Sequence, residues 1–538
     1  MPDITTEAIV PAEDRLTRVL SWIALLILGL ILMATLIIVS MNPMGSGDQV
    51  KAIEYTANAD SFTALLKKCN YSWWLLAQVW LLKLAGVLSI SAAKMLSCIW
   101  LLIGLLAGLW IGLRYLRLHI TTCCIFFITL GGSAEIASWT HSPHSIYMAS
   151  FAMGGIVLLV LLALDKAKMD PTAQLSLWAS IAIAIACLYS PVQGILIGTG
   201  LLVLVIIHSI NRPLPVVFRN ICLSVSIGIP ALAVCLFTMT LFPHPQIGSA
   251  PSYAYPYLFE QSGTSLGPIS FAASRFWFLL VQVYSTAPPR NGGLEFVGWM
   301  LMFLAFASIL LIAIKSTPRS WRLTITIIML SLLPTAVLSI FSWYPFGYVR
   351  YERYAVIGLA LMPAIGAQSI WKHFIEPHKH KAKIRNVLIV FASAFFAFIA
   401  WNWTIRGYNE IKQTEHSEQL LSTLKKELQS APLVADFWSQ ETVWLTGSNR
   451  SPQFLIPRPV LVNQRDWTKS EQEQISDLCQ RRNRIVILLH ANPTTPSGKF
   501  RPAYEPLFRI LSDHEFQSKP SPGQDPRLSV WTRIARTP

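Results

Sequence analysis

The chain has 538 residues, of which 53% are hydrophobic and only 13% are charged, and its mean hydropathy is +0.48. Soluble globular proteins carry roughly 25% charged residues, so this composition excludes an ordinary soluble domain and indicates an integral membrane protein. The formal net charge of +15 would suggest a nucleic-acid partner in a soluble chain. Here the basic residues cluster in short turns between apolar runs, which is typical of cytoplasmic loops, and no nucleic acid is expected to bind.

Residues 1–18 have mixed charge, and no small-residue cleavage site follows the first apolar run. This pattern predicts a cytoplasmic N-terminus (1–18) joined to a retained first helix rather than a signal peptide. The eight cysteines have no paired spacing and form no CxxC motif. They predict neither a metal site nor a redox site.

A helix that crosses a bilayer needs about 20 mostly apolar residues. The stretches that meet this condition are 20–41, 173–189, 192–208, 218–242, 296–314, 323–342, 355–371 and 387–403. Residues 73–164 contain enough apolar chain for three or four more helices, near 73–90, 95–113, 120–138 and 146–164.

The basic turns predict how these helices are oriented. The residues that mark the cytoplasmic side are Lys166, Lys168, Arg212, Arg219, Lys315, Arg319, Arg322 and the run 372–385. The loops on the opposite side are 42–71, 189–191, 243–294 and 343–353, with the chain after residue 403. Termini on opposite sides require an odd number of crossings, so one segment within 73–164 should be short or re-entrant, which leaves about eleven spans.

Three basic side chains in residues 73–164 are harder to place. Arg114 and Arg117 would face outward if Lys94 faces the cytoplasm, which runs against the usual distribution of positive charge. Lys83 lies in an apolar run and is expected to snorkel to the interface.

Two larger external pieces complete the predicted architecture. The loop 243–294 is rich in Pro, Tyr and Gly and includes an aromatic stretch, 271–284, which predicts a helix lying in the membrane interface. The polar chain after residue 405 alternates helical stretches (410–429 and 469–482) with strand-like runs (433–435, 443–445, 460–462 and 485–489). The predicted fold is a polytopic α-helical membrane domain (19–404) with a small C-terminal extracytoplasmic α/β domain (405–538).

Asp48 is the strongest catalytic candidate, because it is an acid in a short loop between two apolar segments. The preceding Gly45-Ser-Gly47 is flexible enough to let the carboxylate be aimed freely. A carboxylate over an apolar cavity has its pKa raised by desolvation, and a nearby cation lowers the pKa again and keeps the group a usable base. The alternatives are a solvated loop acid or a cap for a short helix that begins near Val50.

Arg350 and Arg353 lie in the aromatic run 344–354, directly before an apolar helix. Arg binds phosphate in a bidentate manner, and Tyr beside it is suited to the headgroup boundary. Arginines on the outer side run against the positive-inside bias, which favours a specific role such as phosphate binding. The alternative is a snorkelling anchor, with Glu352 neutralising one of the two charges.

His141 and His144 form an i, i+3 pair that could bind a metal or contact a phosphate. Pro143 between them argues against a regular helix and favours a polar loop with two ordinary histidines. Glu135 is an intramembrane acid and therefore a functional candidate. The chain has no Walker loop and no HExxH, GxSxG or dinucleotide motif.

Over residues 15–405 this layout resembles the GT-C integral-membrane glycosyltransferases, in the branch of the aminoarabinose transferases and protein O-mannosyltransferases. Asp48-Gln49 falls where that family has an acidic pair. Ser72-Trp73-Trp74, running on to Lys83-Leu-Ala-Gly86, is similar to its aromatic helix ending in Gly. Arg353-Tyr354, followed by a helix that contains Pro363, is similar to its Arg-Tyr segment.

The resemblance implies an inner (plasma) membrane enzyme that moves a sugar from a polyprenyl-phosphate donor to a lipid, glycan or protein acceptor at the outer face. It implies that Asp48 is the general base and that Arg353, Arg350 and Tyr354 hold the donor phosphate. The further candidates for acceptor or donor contacts are Glu54, His141, His144 and Tyr351. A divalent cation (Mg or Mn) is compatible with the family, but Gln49 replaces the second acid of a two-carboxylate metal site.

Two other functions remain open at this stage. An O-antigen ligase or polymerase would place its catalytic Arg and His residues in the loop 243–294, with Arg275, Arg290 and His244 as candidates. A flippase or transporter of lipid-linked sugars would need polar residues along a path through the helices, and the predicted spans contain few.

Overall fold

The structure is a computed structural model. The residues it describes are 15–42, 48–68, 73–133, 136, 145–189, 192–241, 268–285, 295–311, 317–340, 347, 352–377, 381–429, 431–436, 453–456, 467–489, 504–519 and 528–534.

Helices dominate the chain up to residue 428. They are α1 (Arg15–Met41), α2 (Asp48–Ala57), α3 (Phe62–Lys68), α4 (Trp73–Leu84), α5 (Ile90–Trp110), α6 (Ile120–Gly132), α7 (Ser145–Lys166), α8 (Ala173–Tyr189), α9 (Gln193–Ser209), α10 (Leu214–Leu241), α11 (Pro268–Tyr284), α12 (Phe296–Leu311), α13 (Arg319–Ile340), α14 (Val356–Ile370) and α15 (Lys381–Leu428). Short π-helical turns, Ile111–Tyr115 and Trp371–Ile375, extend α5 and α14.

Among the described residues, five helical stretches are long and apolar enough to cross a membrane. They are Thr17–Met41, Ile90–Tyr115, Met148–Lys166, Leu214–Val234 and Arg319–Ser339. Shorter apolar helices, including α6, α8, α9 and α12, pack among them. The predicted span 173–189 coincides with α8, so the apolar pattern placed that helix correctly.

Side-chain hydrogen bonds fix the direction of the helices in the bundle. Ser21, early in α1, donates to Thr121 at the start of α6 (3.4 Å). Thr35, later in α1, donates to the carbonyl of Trp403, whose indole N–H donates to Gly131 at the end of α6, so α1 and α6 run parallel. The backbone N–H before α6 (His119) donates to Gln368 near the end of α14 (2.6 Å), so α14 runs the opposite way. We call the end of the bundle where α1 finishes and α14 begins the upper end.

The structure places Lys94 at the upper end, an orientation that the sequence left open. Its ammonium donates to the carbonyl of Asn42, directly after α1, at 2.9 Å, so α5 begins at the upper end. Arg114 and Arg117, which follow the body of α5, therefore lie toward the lower end. The lower end also holds the basic turns that the sequence marks as cytoplasmic, so the conflict with the positive-inside bias disappears.

Helix α4 explains why the segment 73–90 does not cross. It has 12 residues, which at 1.5 Å per residue is about 18 Å, well short of the roughly 30 Å hydrocarbon core. Since Asn42 before it and Lys94 after it are in contact, the chain between them begins and ends at the upper end. Helix α4 thus has the short length predicted for one segment within 73–164, and the total of about eleven spans remains a prediction.

Helix α11 also belongs to the upper end. Ser133, which follows α6, donates to the carbonyl of Gln282 (3.1 Å), and Tyr284 donates to the carbonyl of Leu359 in the first turn of α14 (2.9 Å). The middle of α11 contacts Gly347, in the segment before α14. The structure shows a helix that includes 271–284, and its position in the membrane interface remains a prediction.

Helix α15 corrects the prediction of separate helices over 387–403 and 410–429, because it is one helix of 48 residues. Its length is about 72 Å, more than twice the thickness of a hydrocarbon core. Trp403 is level with the upper part of the bundle, since its indole N–H donates to the carbonyl of Gly131 (2.7 Å). The last turns of α15 therefore project beyond the bundle and carry the C-terminal domain.

The C-terminal domain is a five-stranded mixed sheet with strand order β2-β1-β3-β5-β4. Its strands are β1 (Leu433–Asp436), β2 (Phe454–Ile456), β3 (Arg484–Leu488), β4 (Phe516–Lys519) and β5 (Leu528–Arg533), and its helices are α16 (Lys469–Arg481) and α17 (Glu505–Asp513). Strand β1 pairs in parallel with β2 and β3, and β5 pairs in antiparallel fashion with β3 and β4. The end of α15 covers one face, with Leu420, Leu424 and Leu428 buried against β1 and β3.

Candidate active site

The Asp48 segment is part of a small helical layer at the upper end. Helices α2, α3 and α4 share a core of their own, to which they contribute Ile53, Leu65 and Leu76, all essentially buried. Ile90 and Ala93 at the start of α5 belong to the same core. Burial of these apolar side chains attaches the layer to the bundle, since each one removed from water contributes roughly 1.5–3 kcal/mol.

Asp48 is the first residue of α2. Helix N-termini carry unpaired backbone N–H groups and a partial positive charge, which stabilise a carboxylate in the first turn. The start of α2 is thus a favourable position for an ionised acid at the membrane surface. The side chain of Asp48 lies outside the described residues.

Arg353 lies in the turn that leads into α14, and this turn is strongly anchored. Tyr354 is buried, and its hydroxyl donates to the carbonyl of Ser331 on α13 (3.0 Å). The same hydroxyl lies 3.3 Å from that of Thr335, one turn further along α13. The Tyr354 side chain therefore faces the interior of the bundle and fixes the backbone from which the half-buried Arg353 extends.

The backbone at Gly347 lies close against α11. Gly347 has a φ of +96°, and a Cβ atom added there would lie 2.6 Å from the carbonyl oxygen of Arg275. An L-residue is strained at such a φ, and the contact leaves no room for a side chain. Glycine is thus required at this position for the close approach to α11.

Glu352 is fully buried next to Arg353. Burial raises the pKa of the Glu352 carboxyl from 4.5 to about 8, and the Tyr354 and Thr335 hydroxyls and the Arg353 guanidinium oppose that rise. A carboxyl that is neutral near pH 7 adds no negative charge beside Arg353.

The structure places the remaining sequence candidates as follows. Glu54 lies half-exposed in the middle of α2. The positions of Arg350, Tyr351, His141 and His144 lie outside the described residues. Asp48 and Arg353 share the upper end of the bundle, one at the start of α2 and the other before α14.

Metal binding remains a prediction. Within the described part of the chain, no group of three or more His, Cys, Asp or Glu residues could hold a metal ion. Arg353 offers positive charge for a phosphate without a metal.

Sequence reasoning missed two basic residues that build the site. Lys83 does not snorkel to the interface as expected, because its ammonium donates to three carbonyls at the end of α2. Lys94 is 1% exposed and bound to Asn42. Both lysines lie at the upper end of apolar helices, opposite the basic turns. This position runs against the positive-inside bias and was the sequence signal that could have identified them.

Comparison with solved structures identifies the fold. No protein-family model and no curated protein sequence matches the chain. The arrangement of its helices and C-terminal domain is found in the GT-C class of membrane glycosyltransferase structures.

Two of the matching structures are of ArnT from Cupriavidus metallidurans. The crystal structure bound to undecaprenyl phosphate matches with a TM-score of 0.52 at 12% identity, and the apo structure matches with a TM-score of 0.55 at 11% identity. Each match covers 96% of this chain and 98% of the other. At this identity the likeness shows a shared fold, which extends over both the bundle and the C-terminal domain.

Proposed function

We propose that the protein is a membrane glycosyltransferase that moves a sugar from a polyprenyl-phosphate donor to a lipid, glycan or protein acceptor. The observation that carries the proposal is the likeness, over 96% of the chain, to a structure bound to undecaprenyl phosphate. The joint position of Asp48 and Arg353 at the upper end supports it. The upper end is then the outer face of the inner (plasma) membrane, and the C-terminal domain is extracytoplasmic.

The reaction follows from the chemistry of these two residues. The Asp48 carboxylate accepts the proton of an acceptor hydroxyl, whose oxygen bonds to the anomeric carbon of the sugar. The bond from that carbon to the phosphate oxygen breaks, and polyprenyl phosphate leaves with the bonding electrons. Arg353, together with Arg350, stabilises the negative charge on the departing phosphate. A lipid-borne donor requires no nucleotide-binding loop.

The apolar surroundings suit such a donor. The described helices expose large apolar side chains to the membrane, so a polyprenyl chain can lie against the bundle while its phosphate stays at the upper end. The membrane lipids and the donor are the expected partners, together with the acceptor. Tyr351, Glu54, His141 and His144 remain candidate contacts with donor or acceptor.

The role of Asp48 is tested with Asp48→Asn in purified protein that carries bound donor. The variant should insert and express normally but lose sugar transfer by roughly 10²–10⁴-fold, the usual contribution of a general base. Asp60→Asn is the matched control, since Asp60 is an exposed acid in the same layer. Full activity of Asp48→Asn would exclude the proposed role.

Donor binding is tested with Arg353→Ala and Arg350→Ala. We expect Arg353→Ala to reduce the retention of polyprenyl-phosphate sugar more than Arg350→Ala does, because charge-assisted contacts to phosphate are strong. Equal and negligible losses would contradict the phosphate assignment. Mass spectrometry of lipid-linked sugars and envelope glycans from a deletion strain would identify the sugar and its acceptor.

A further inference from the structure

Lys83 closes the end of helix α2. Its Nζ atom donates to the carbonyl oxygens of Thr56 (2.9 Å), Ala57 (3.1 Å) and Ala59 (2.6 Å). The last carbonyls of a helix have no partner within it and carry its partial negative charge. The three donors of one ammonium group therefore satisfy the end of the helix that begins at Asp48.

Lys94 holds the other end of the same segment. Its Nζ atom donates to the carbonyl of Asn42 at 2.9 Å, and the side chain is almost completely buried. Glu410 on α15 is close enough to act on Lys94 electrostatically. A buried ammonium is costly unless it is bonded and paired, so Lys94 is not a snorkelling side chain.

The two lysines bracket the catalytic candidate. The chain from Asn42 to Ala59 contains Asp48, and each end of it is hydrogen-bonded through backbone carbonyls to a lysine on a neighbouring helix. Carbonyl contacts of this kind hold the backbone at Asn42 and at the end of α2, whatever side chains the segment carries. In addition, the α2–α4 core holds the layer against the start of α5.

We propose that Lys83 and Lys94 are positioning residues, which fix Asp48 relative to the donor by fastening the two ends of its segment. This inference rests on the proposed function of Asp48. Neither lysine touches substrate in this proposal. A displacement of about 1 Å at a catalytic group can reduce the rate of the chemical step by about a hundredfold. Loss of either contact should therefore affect kcat rather than donor binding, which depends on the separate Arg353 turn.

The test compares Lys83→Met with Lys83→Arg in the full-length protein. Lys83→Met should lower kcat by about tenfold to a hundredfold, with the KM for the polyprenyl-phosphate sugar and the retention of that lipid within about twofold of wild type. Lys83→Arg keeps donors for the same carbonyls and should recover much of the loss. Lys412→Met is the control, since Lys412 is an exposed basic residue on α15 that packs over Tyr408.

Lys94 is tested by the double variant Lys94→Met/Glu410→Gln, because Lys94→Met alone would leave a buried carboxylate beside an apolar side chain. We expect the same selective fall in kcat. Wild-type kcat in Lys83→Met, or a loss of kcat, donor retention and thermal stability together, would overturn the inference. The proposed function is tested separately by Asp48→Asn. If that variant is inactive, the proposed function stands whatever the lysine variants show. If it is fully active, the proposed function is refuted.

Discussion

The backbones of Gly154 and Tyr354 are in direct contact. A Cβ atom added to Gly154, in the middle of α7, would lie 2.5 Å from the carbonyl oxygen of Tyr354 and 2.9 Å from its Cα atom. The turn that carries Arg353 thus rests on α7 with no side chain between them. On its other side, the Tyr354 hydroxyl binds α13. The position of Arg353 is consequently set by two helices that are distant from it in sequence.

We predict that Gly154→Ala displaces the Arg353 turn. Ala is favoured over Gly within a helix by about 1 kcal/mol, but here the added methyl group meets backbone atoms that cannot rotate away. Overpacking of this kind costs about 1–3 kcal/mol. Retention of polyprenyl-phosphate sugar and thermal stability should both fall.

The matched control is Gly198→Ala on α9, where a Cβ atom would have nothing within 4 Å. This variant should retain donor as the wild type does and be at least as stable, because only helix propensity changes. Equal behaviour of the two alanine variants would show that the contact with Tyr354 does not hold the turn.

We predict that Glu352 makes stability depend on pH. The pKa of the Glu352 carboxyl is about 8 in the folded state, above the value of 4.5 for a solvated carboxyl. Between these two pH values the folded state keeps the proton, whereas the unfolded chain has lost it. The stabilising contribution of the protonated Glu352 carboxyl is complete below pH 4.5 and is lost as the pH rises through about 8. Glu352→Gln cannot ionise and should flatten the fall in Tm between pH 6 and about pH 9.

The same ionisation should weaken donor binding, because a Glu352 carboxylate compensates the charge of Arg353. Wild-type donor retention should decline above about pH 8, and that of Glu352→Gln should decline less. Parallel Tm and retention profiles for the two proteins would contradict the prediction.

We predict that the end of α15 holds the C-terminal domain through apolar contacts. Leu424 is fully buried against β1 and β3, and truncation of a buried Leu to Ala costs about 2–5 kcal/mol. Leu424→Ala should therefore speed the release of a C-terminal fragment in limited proteolysis. Lys425→Ala changes an exposed neighbour and should leave that rate unchanged.

The ion pair between Glu427 and Arg484, which also joins α15 to the sheet, should be too weak to hold the domain by itself. Release of the fragment at the wild-type rate in Leu424→Ala would show that other contacts hold the domain.

Apolar periodicity and length were sufficient to predict much of the helical bundle. The helix at 173–189 was predicted with its observed bounds, and α16 to within one residue, because each has a clear pattern and polar ends. Strands β4 and β5 were missed, since neither Phe516–Lys519 nor Leu528–Arg533 has the continuous apolar run that identified β1 and β3. The pairing of β5 with β3 is a long-range contact that no local pattern encodes.

Within the site, the sequence indicated Asp48 and Arg353 as candidates but did not predict what Lys83 and Lys94 bind. A rule based on hydropathy cannot predict which groups Lys83 and Lys94 bind, because such a rule considers only the distance of a charge from the interface. Their actual partners are backbone carbonyls 24 or more positions away. For the same reason the raised pKa of Glu352 was not predicted. It depends on burial by helices whose packing cannot be read from the sequence.

The sequence by itself determined that this is a polytopic membrane protein with basic turns on one side, an early acid, a late Tyr-Arg segment and a polar C-terminal domain. These features depend on composition and on the fixed thickness of the bilayer, so they can be counted along the chain. Only the tertiary structure decided that α4 stays at the upper end and that α15 is continuous. It also decided which carbonyls Lys83 and Lys94 bind, because a hydrogen bond depends on distances between segments that are remote in sequence.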